Sequence, residues 1–466
     1  MWTRIPALIA FCATTLLLAA EARAQYMCPE TCQLPSCYCA SAEPPGGLAP
    51  EDTPQFVLVT FDDCVRPATE AVIAPVLDGL TNPDGRPAPR TYFVSRTNCP
   101  NPTGAVTDAA TVRALYDAGH EIGNHTENHD TSETHTLEQW IEAISSQQRY
   151  LYDEVGLPAG TITGFRAPFL RTNEAMYTAL QAAGFRYESS LLEQPFYGAS
   201  PVSTSPQTYV WPHTLDYGAG ISCGFFTANE CPTEPKPSLW TIPAWEFLDP
   251  DGIEADSAIY YGAFDIGTFY GGVFPITGDR LFDLMAVNFV DRYDGNRVPY
   301  NLFFHAAAFE DPERQADMRR VLEAALNEPD VWAITMEGLI EWMRNPAPAD
   351  EMAAWFESYC ETSQCPRVVT TEDAGEDAAL PDRVEASLFP NPTVDDATLA
   401  VVHATSGPVT LEVFDVLGRV VHRAETTVGA GSRRYTVPLR DVSAGTYVVR
   451  LRQGATVLAQ HLAAKR

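Results

Sequence analysis

The stretch VLVTFDD, residues 57–63, is a short apolar run that ends on two adjacent carboxylates, Asp62 and Asp63. It reads as a buried strand, and paired acids are an awkward way to finish one. Side by side the two charges repel, and neither is welcome near a core. Asp62 and Asp63 at a strand end, where the pleat breaks, can both reach the top of a barrel, although a helix-capping role is the plain alternative.

Working outward, strands and helices alternate. Candidate strands lie at 55–61, 90–95, 120–124, 161–166, 185–190, 239–245, 300–305 and 331–336. Helical periodicity appears at 108–119, 137–155, 173–184, 277–291 and 312–327. Repeated strand–helix units argue for a parallel barrel or a doubly wound sheet. The barrel is favoured, because each polar oddity along the chain sits at the end of a candidate strand, where such barrels build their sites.

Three such oddities follow the acid pair. NHTENHD places His125 and His129 four residues apart, on one face if the segment is a helical turn, a spacing that suits chelation of one divalent ion. His120, by contrast, reads as an ordinary surface or core histidine. Two histidines and one carboxylate form a facial set with open positions, the arrangement of a catalytic rather than a closed structural metal site. One acid then neutralises cation charge and the other takes a proton from water; spacing alone leaves open which is which. In GFRAPFL, Arg166 is a fixed cation able to hold a carboxylate ionised, and Pro168 stiffens the turn that carries the Phe169 amide. In YNLFFHAAAF, His305 closes an apolar strand, as a proton donor would. A salt bridge, a common turn and a core histidine are the structural alternatives for these.

The chain has 466 residues and a net charge of −31. Residues 1–24 have a basic start, an apolar run of secretory-signal length and a small-x-small cleavage site, so the mature chain is expected to begin near Gln25 and to be exported. Without Cys12, ten cysteines remain, an even number that reads as disulfides in an oxidising compartment. A zinc knot in CPETCQLPSCYC is the alternative, but no histidine interleaves there. Residues 25–50 form a Cys-rich segment, 51–365 the expected barrel, 366–385 an acidic linker without periodicity, and 386–466 an alternating pattern with Gly at the turns, expected to be a small all-β sandwich. That last segment carries nine Lys/Arg against six Asp/Glu, leaving 21 basic and 55 acidic residues in the rest. So acidic a body disfavours nucleic acid as a partner, since that binding runs on Lys/Arg contacts to phosphate; adaptation to a salty habitat accounts for the acidity equally well.

With TFDD, HTENH, RAPF and LFFH in this order over roughly residues 55–310, the sequence resembles the polysaccharide deacetylases of carbohydrate esterase family 4, the NodB-homology proteins. CQLPSCYC, PGGL, RAPFL, WPHTLDY, NLFFHAA, PDVWAIT and WMRNPAP are similar to the arthropod-type chitin deacetylases, over about residues 28–365. The resemblance implies an α/β fold, a distorted (β/α) barrel of the NodB-homology type. It implies Asp62 as catalytic base, Asp63, His125 and His129 as ligands of a divalent metal, usually zinc, His305 as general acid and Arg166 as the residue orienting Asp62. The Phe169 amide would stabilise the oxyanion and Leu302 would line the acetyl pocket. The family often tethers its catalytic histidine with an Asp and an aromatic partner. Here LWTIPAWEFLDPDG supplies Trp245 as the aromatic and leaves Glu246, Asp249 and Asp251 as candidate tethers. Cys64, directly after the acid pair, is unusual, with Cys99 as a candidate partner. SLFPNP, FDVLGRVV and SAGTYVVRL resemble the sorting domain of type IX secretion, which implies a gram-negative source, outer-membrane export machinery as a partner, and a secreted or surface-attached product. A carbohydrate-binding sandwich is the rival for this module, though it lacks a row of exposed aromatics.

The expected activity is thus metal-dependent removal of acetyl groups from N-acetylglucosamine polymers, chitin first. An O-acetyl xylan esterase or a peptidoglycan deacetylase is the alternative on the same fold. A non-catalytic carbohydrate-binding protein and a non-haem iron oxygenase are the alternatives from other classes, opposed by the full set of proton-transfer positions and by the spare Asp.

Overall fold

Strand β1 (Gln55–Asp63) is buried along its whole length, which explains its unbroken apolar reading. Val57, Val59 and Phe61 face a layer packed with helices, whereas Phe56 and Leu58 face a second cluster containing Phe93, Trp211, Trp245 and Trp342. In this computed structural model the described residues are 26–366, except 101–102, 131–132, 194–208, 222, 224–229, 249–259, 262–264 and 266–277, and 386–465, except 390–392, 394, 404–406, 416–418, 429–430, 441, 444 and 454–455. The expected signal peptide and most of the expected linker lie outside them. The chain divides into two compact units, Met1–Val368 and Val369–Arg466.

The first unit is built on one curled sheet. To β1 are added β2 (Thr91–Val94), β3 (Glu121–Asn124), β4 (Gly164–Phe165), β5 (Tyr187–Glu188), β6 (His213–Leu215), β7 (Lys236–Thr241), β8 (Tyr300–Phe304) and β9 (Val331–Ala333). Their order is β8-β1-β2-β3-β4-β5-β7-β6, with β9 also paired to β1. All pairs are parallel except β6 with β7. The order winds in one direction, with the late strand β8 returning beside β1, as in a barrel; a doubly wound sheet reverses at a switch point. Among the described residues hydrogen bonding does not join β6 to β8, and the sheet they form is curled rather than closed.

Between strands run α1 (Pro67–Leu77), α2 (Ala109–Asp117), α3 (Leu137–Arg149), α4 (Glu174–Ala182), α5 (Asp279–Tyr293) and α6 (Pro312–Leu326), followed by α7 (Met336–Arg344) and α8 (Met352–Thr362). Local chemistry sets their starts: Asp108, Thr136, Asn173, Asp311 and Thr335 each accept a hydrogen bond from a first-turn amide. Helices α1, α7 and α8 are additions to the sequence reading; Pro75 inside α1 masks its periodicity.

All ten described cysteines pair, as 28–39, 32–37, 64–99, 223–231 and 360–365. The second unit is all β. A three-stranded sheet, with Ala397–His403 between Ala386–Phe389 and Gly431–Val437, and a four-stranded sheet, in the order Val420–Val428, Gly407–Asp415, Gly445–Gln453 and Thr456–Lys465, are both antiparallel. They share one core of Leu399, Val401, Leu411, Val413, Val449 and Leu451. Among the described residues no helix is long and apolar enough to cross a membrane.

Candidate metal centre and active site

The site forms where the parallel strands end. At Asp63 the backbone enters the left-handed region, with φ of 84°, and this break in the pleat lets consecutive carboxylates serve one end of the sheet. Among the described residues nine non-glycine residues take a positive φ, and six stand here: Asp63, Thr126, His129, Phe169, Leu170 and Asp265. Backbone strain of this kind persists where surrounding structure over-determines it, and it gathers at functional sites.

Asp62 is held by Arg166, whose Nη1 lies 2.6 Å from Oδ1. Arg166 is fully buried and clamped: Nη1 also donates to Thr60 Oγ1, Nε to the Ser189 carbonyl and Nη2 to Ser189 Oγ. The rings of Phe93 and Phe303 sandwich its guanidinium at 4.1 and 4.5 Å. Burial weakens the guanidinium's hold on its proton, and Asp62 opposes that. A guanidinium nonetheless stays charged at any ordinary pH, so a cation is fixed against Asp62.

Asp63, His125 and His129 bring one ligand atom each within 4.8 Å of one another, all three residues buried. The two histidines do not lie on a helical turn as the spacing suggested. They lie on a bent loop after β3, where positive φ at Thr126 and His129 brings the rings to 5.0 Å. Asn124 shapes the loop by accepting from the Thr126 amide, and Ser95 Oγ donates to the His125 carbonyl. His125 Nδ1 is 2.7 Å from the Arg166 carbonyl. A carbonyl only accepts, so Nδ1 carries the proton and the Nε2 lone pair is bare toward Asp63. Burial pulls the His125 pKa down to about 4, keeping that lone pair at neutral pH.

These donors fit a divalent cation. Among the described residues neither Asp63 oxygen receives a hydrogen bond of good geometry, although His129 Nε2 is 2.9 Å and His125 Nε2 3.9 Å from Oδ1. A buried carboxylate with both oxygens unsatisfied is costly unless a cation meets it. Burial would push the Asp63 carboxyl up, but His129, His305 and His125 together hold it below its usual range. Two imidazoles and one carboxylate suit zinc and leave positions open.

His305, after β8, faces a second carboxylate. Its Nδ1 is 2.7 Å from Asp265 Oδ2, and its backbone N–H donates to Asp265 Oδ1 at 2.7 Å. Burial alone would lower the His305 pKa; Asp265, with Asp63 and Asp62, outweighs it and pushes it up to about 10. Asp265 is therefore the tether that the sequence reading sought at Glu246, Asp249 or Asp251. Glu246 is buried, Asp249 and Asp251 lie outside the described residues, and no local pattern marks an Asp 40 residues upstream of His305. The Phe169 ring, 46 % exposed, rests 4.6 Å from His129. Phe169 is second in the turn Pro168–Leu170, so the turn itself offers its amide no carbonyl.

Two expected site residues are corrected. Trp245 is completely buried in the inner cluster and its indole donates to the Val210 carbonyl, so it presents no surface to a substrate. Leu302 packs with Tyr300 and Phe304 in the helix-facing layer, because side chains alternate along β8. The neighbour on the site side is Phe303, which stacks on Arg166 and whose carbonyl accepts from the Asp265 amide. His120 is a core residue against Tyr92, its pKa lowered to about 3 by burial.

Residues 49–188 match the polysaccharide deacetylase family, and residues 387–465 match the secretion-system C-terminal sorting domain. Chitin deacetylase 8 of Bombyx mori is 28% identical over 332 residues, covering 69% of this chain and 78% of that protein. Chitin deacetylase 1 of Bombyx mori is 26% identical over 330 residues; the match takes in 69% of this chain but little over half, 57%, of that relative's length. Among solved structures, a family 4 carbohydrate esterase from Streptomyces lividans in complex with acetate shares 14% identity at a TM-score of 0.31, covering 60% of this chain and 91% of the other. A likeness of that size says nothing of the site.

Proposed function

From a chain that carries a polysaccharide deacetylase domain ahead of a C-terminal sorting domain, we infer a secreted, metal-dependent hydrolase that removes N-acetyl groups from N-acetylglucosamine polymers, chitin first, and releases acetate. The observation that carries the reading is the donor set Asp63, His125 and His129 beside two separately held groups that act on it electrostatically, Asp62 on Arg166 and His305 on Asp265. The two chitin deacetylases among the relatives support chitin as the first substrate to try.

A divalent cation, zinc first, held by Asp63, His125 and His129 would supply Lewis acidity and make a nearby water acidic. The remaining steps belong to the protein. Asp62, oriented by Arg166, takes a proton from the attacking water, whose oxygen adds to the acetamide carbonyl carbon. The Phe169 amide donates to the developing oxyanion. His305, its Nδ1 held by Asp265, gives the Nε2 proton to the sugar nitrogen; the C–N bond breaks and leaves a free amine and acetate. The acidic body suits a neutral polymer that becomes cationic as it loses acetyl groups. The sorting domain supports export through outer-membrane secretion machinery of a gram-negative cell to a secreted or surface-attached state.

Acetate release should be measured on chitin oligomers, acetylxylan and peptidoglycan, with and without chelator. Chitin oligomers should turn over fastest and chelator should stop the reaction. Asp62→Asn and His305→Ala should each abolish release while circular dichroism stays unchanged, and near-normal turnover in either would sink these roles.

A further inference from the structure

The hairpin between β2 and α2 touches both halves of the proposed metal centre. Its strands, Thr97–Pro100 and Thr103–Val106, project beyond β2. On one side Cys99 is bonded to Cys64, the residue after Asp63, and both cysteines are buried with Ala105 in a small cluster of their own. On the other side the Arg96 and Thr97 amides donate to the Glu127 carbonyl at 3.0 and 2.9 Å, and Thr97 Oγ1 donates to Asn128 Oδ1 at 2.8 Å. Glu127 and Asn128 lie between His125 and His129. The hairpin is thus a physical link from the acid-bearing strand end to the histidine loop, and its attachment to the strand end is covalent.

The position matters because the ligands are not held by regular structure. Asp63 takes a φ of 84° and His129 one of 50°, conformations that non-glycine residues leave unless their surroundings hold them. We propose that the Cys64–Cys99 disulfide is a positioning element of the metal centre. Through the hairpin it holds Asp63 against the His125–His129 loop, so the donors are pre-arranged and the ion is retained. This inference rests on the metal reading above.

The test compares the full-length wild type with Cys64→Ser/Cys99→Ser and with Cys360→Ser/Cys365→Ser, which removes the disulfide from the end of α8 to the residues after it, outside the site. Cobalt(II) is the probe: its affinity is measured by competition with a chelator, and its visible spectrum reports ligand geometry. Loss of groups that orient metal ligands typically weakens binding about 10- to 100-fold. That loss is expected for Cys64→Ser/Cys99→Ser, with an altered cobalt spectrum, whereas the control variant binds as the wild type even if its Tm falls. Affinity within about threefold of wild type in Cys64→Ser/Cys99→Ser overturns the inference alone. A wild type that binds no cobalt overturns the metal reading, and the inference with it. Should the Cys64→Ser/Cys99→Ser chain fail to fold by circular dichroism, Thr97→Val decides instead: it cuts the hairpin's side-chain link to Asn128, and unchanged cobalt affinity in it counts against the brace.

Discussion

His305 takes its character from a carboxylate that stands 40 residues upstream in the chain. Asp265 both orients the ring through Nδ1 and, against burial, drives the pKa up to about 10. Asp265→Asn keeps a hydrogen-bonding group there but removes the charge. A raised acid stays protonated, and so competent, until pH climbs through its pKa; lowering that pKa moves the loss of activity to lower pH. The basic limb of the pH–kcat profile should therefore shift down, and kcat should fall by about a hundredfold, the low end of what acid–base catalysis contributes. An unmoved limb would show that Asp265 only packs against His305. At this scale the sequence was highly legible for groups next to one another: TFDD, HTENH and RAPF each place their chemistry within five residues. The tether was not legible, because its partner is brought up by the fold.

Along an element, one position decides which layer a side chain joins. In β8, Leu302 belongs to the helix-facing layer and Phe303 to the site side, where its ring covers Arg166. Leu302→Ala should then cost about 2–5 kcal/mol of stability, as truncations of buried Leu do, with KM and kcat unchanged in the folded fraction. Phe303→Leu should lower kcat, because it strips one face from the cation that orients Asp62; equal kinetics in the two variants would refute the assignment of faces. Period-2 reasoning from His305 alone cannot tell the faces apart when both sides of a strand are apolar. The same layering explains Gly123 in β3. A Cβ there would come 2.7 Å from the Phe93 ring, the other face of the Arg166 sandwich. The histidine loop shows a further limit: i and i+4 spacing suggested a helical turn, but three residues of bent backbone bring the rings together instead.

The molecule as a whole divides at Val368, and each unit has its own core. A chain of residues 26–366 should fold alone and release acetate at the rate of the full-length protein, the loss being confined to export; an insoluble or inactive product would show that the sorting domain is needed for folding. Zinc at about 100 times its Kd should stabilise this unit by about 2.7 kcal/mol in thermal unfolding, and should not do so in His125→Ala/His129→Ala. The sequence by itself determined the strand–helix alternation, the two-unit layout with its charge step and the residue types of the proposed site, because periodicity, composition and short motifs are local properties. Tertiary structure alone decided the disulfide pairing, the identity of the His305 tether, the side of β8 that faces Arg166 and the position of Trp245 in the core. Each of these depends on which distant segments a curled sheet brings within about 3 to 6 Å, and distance along the chain does not encode that.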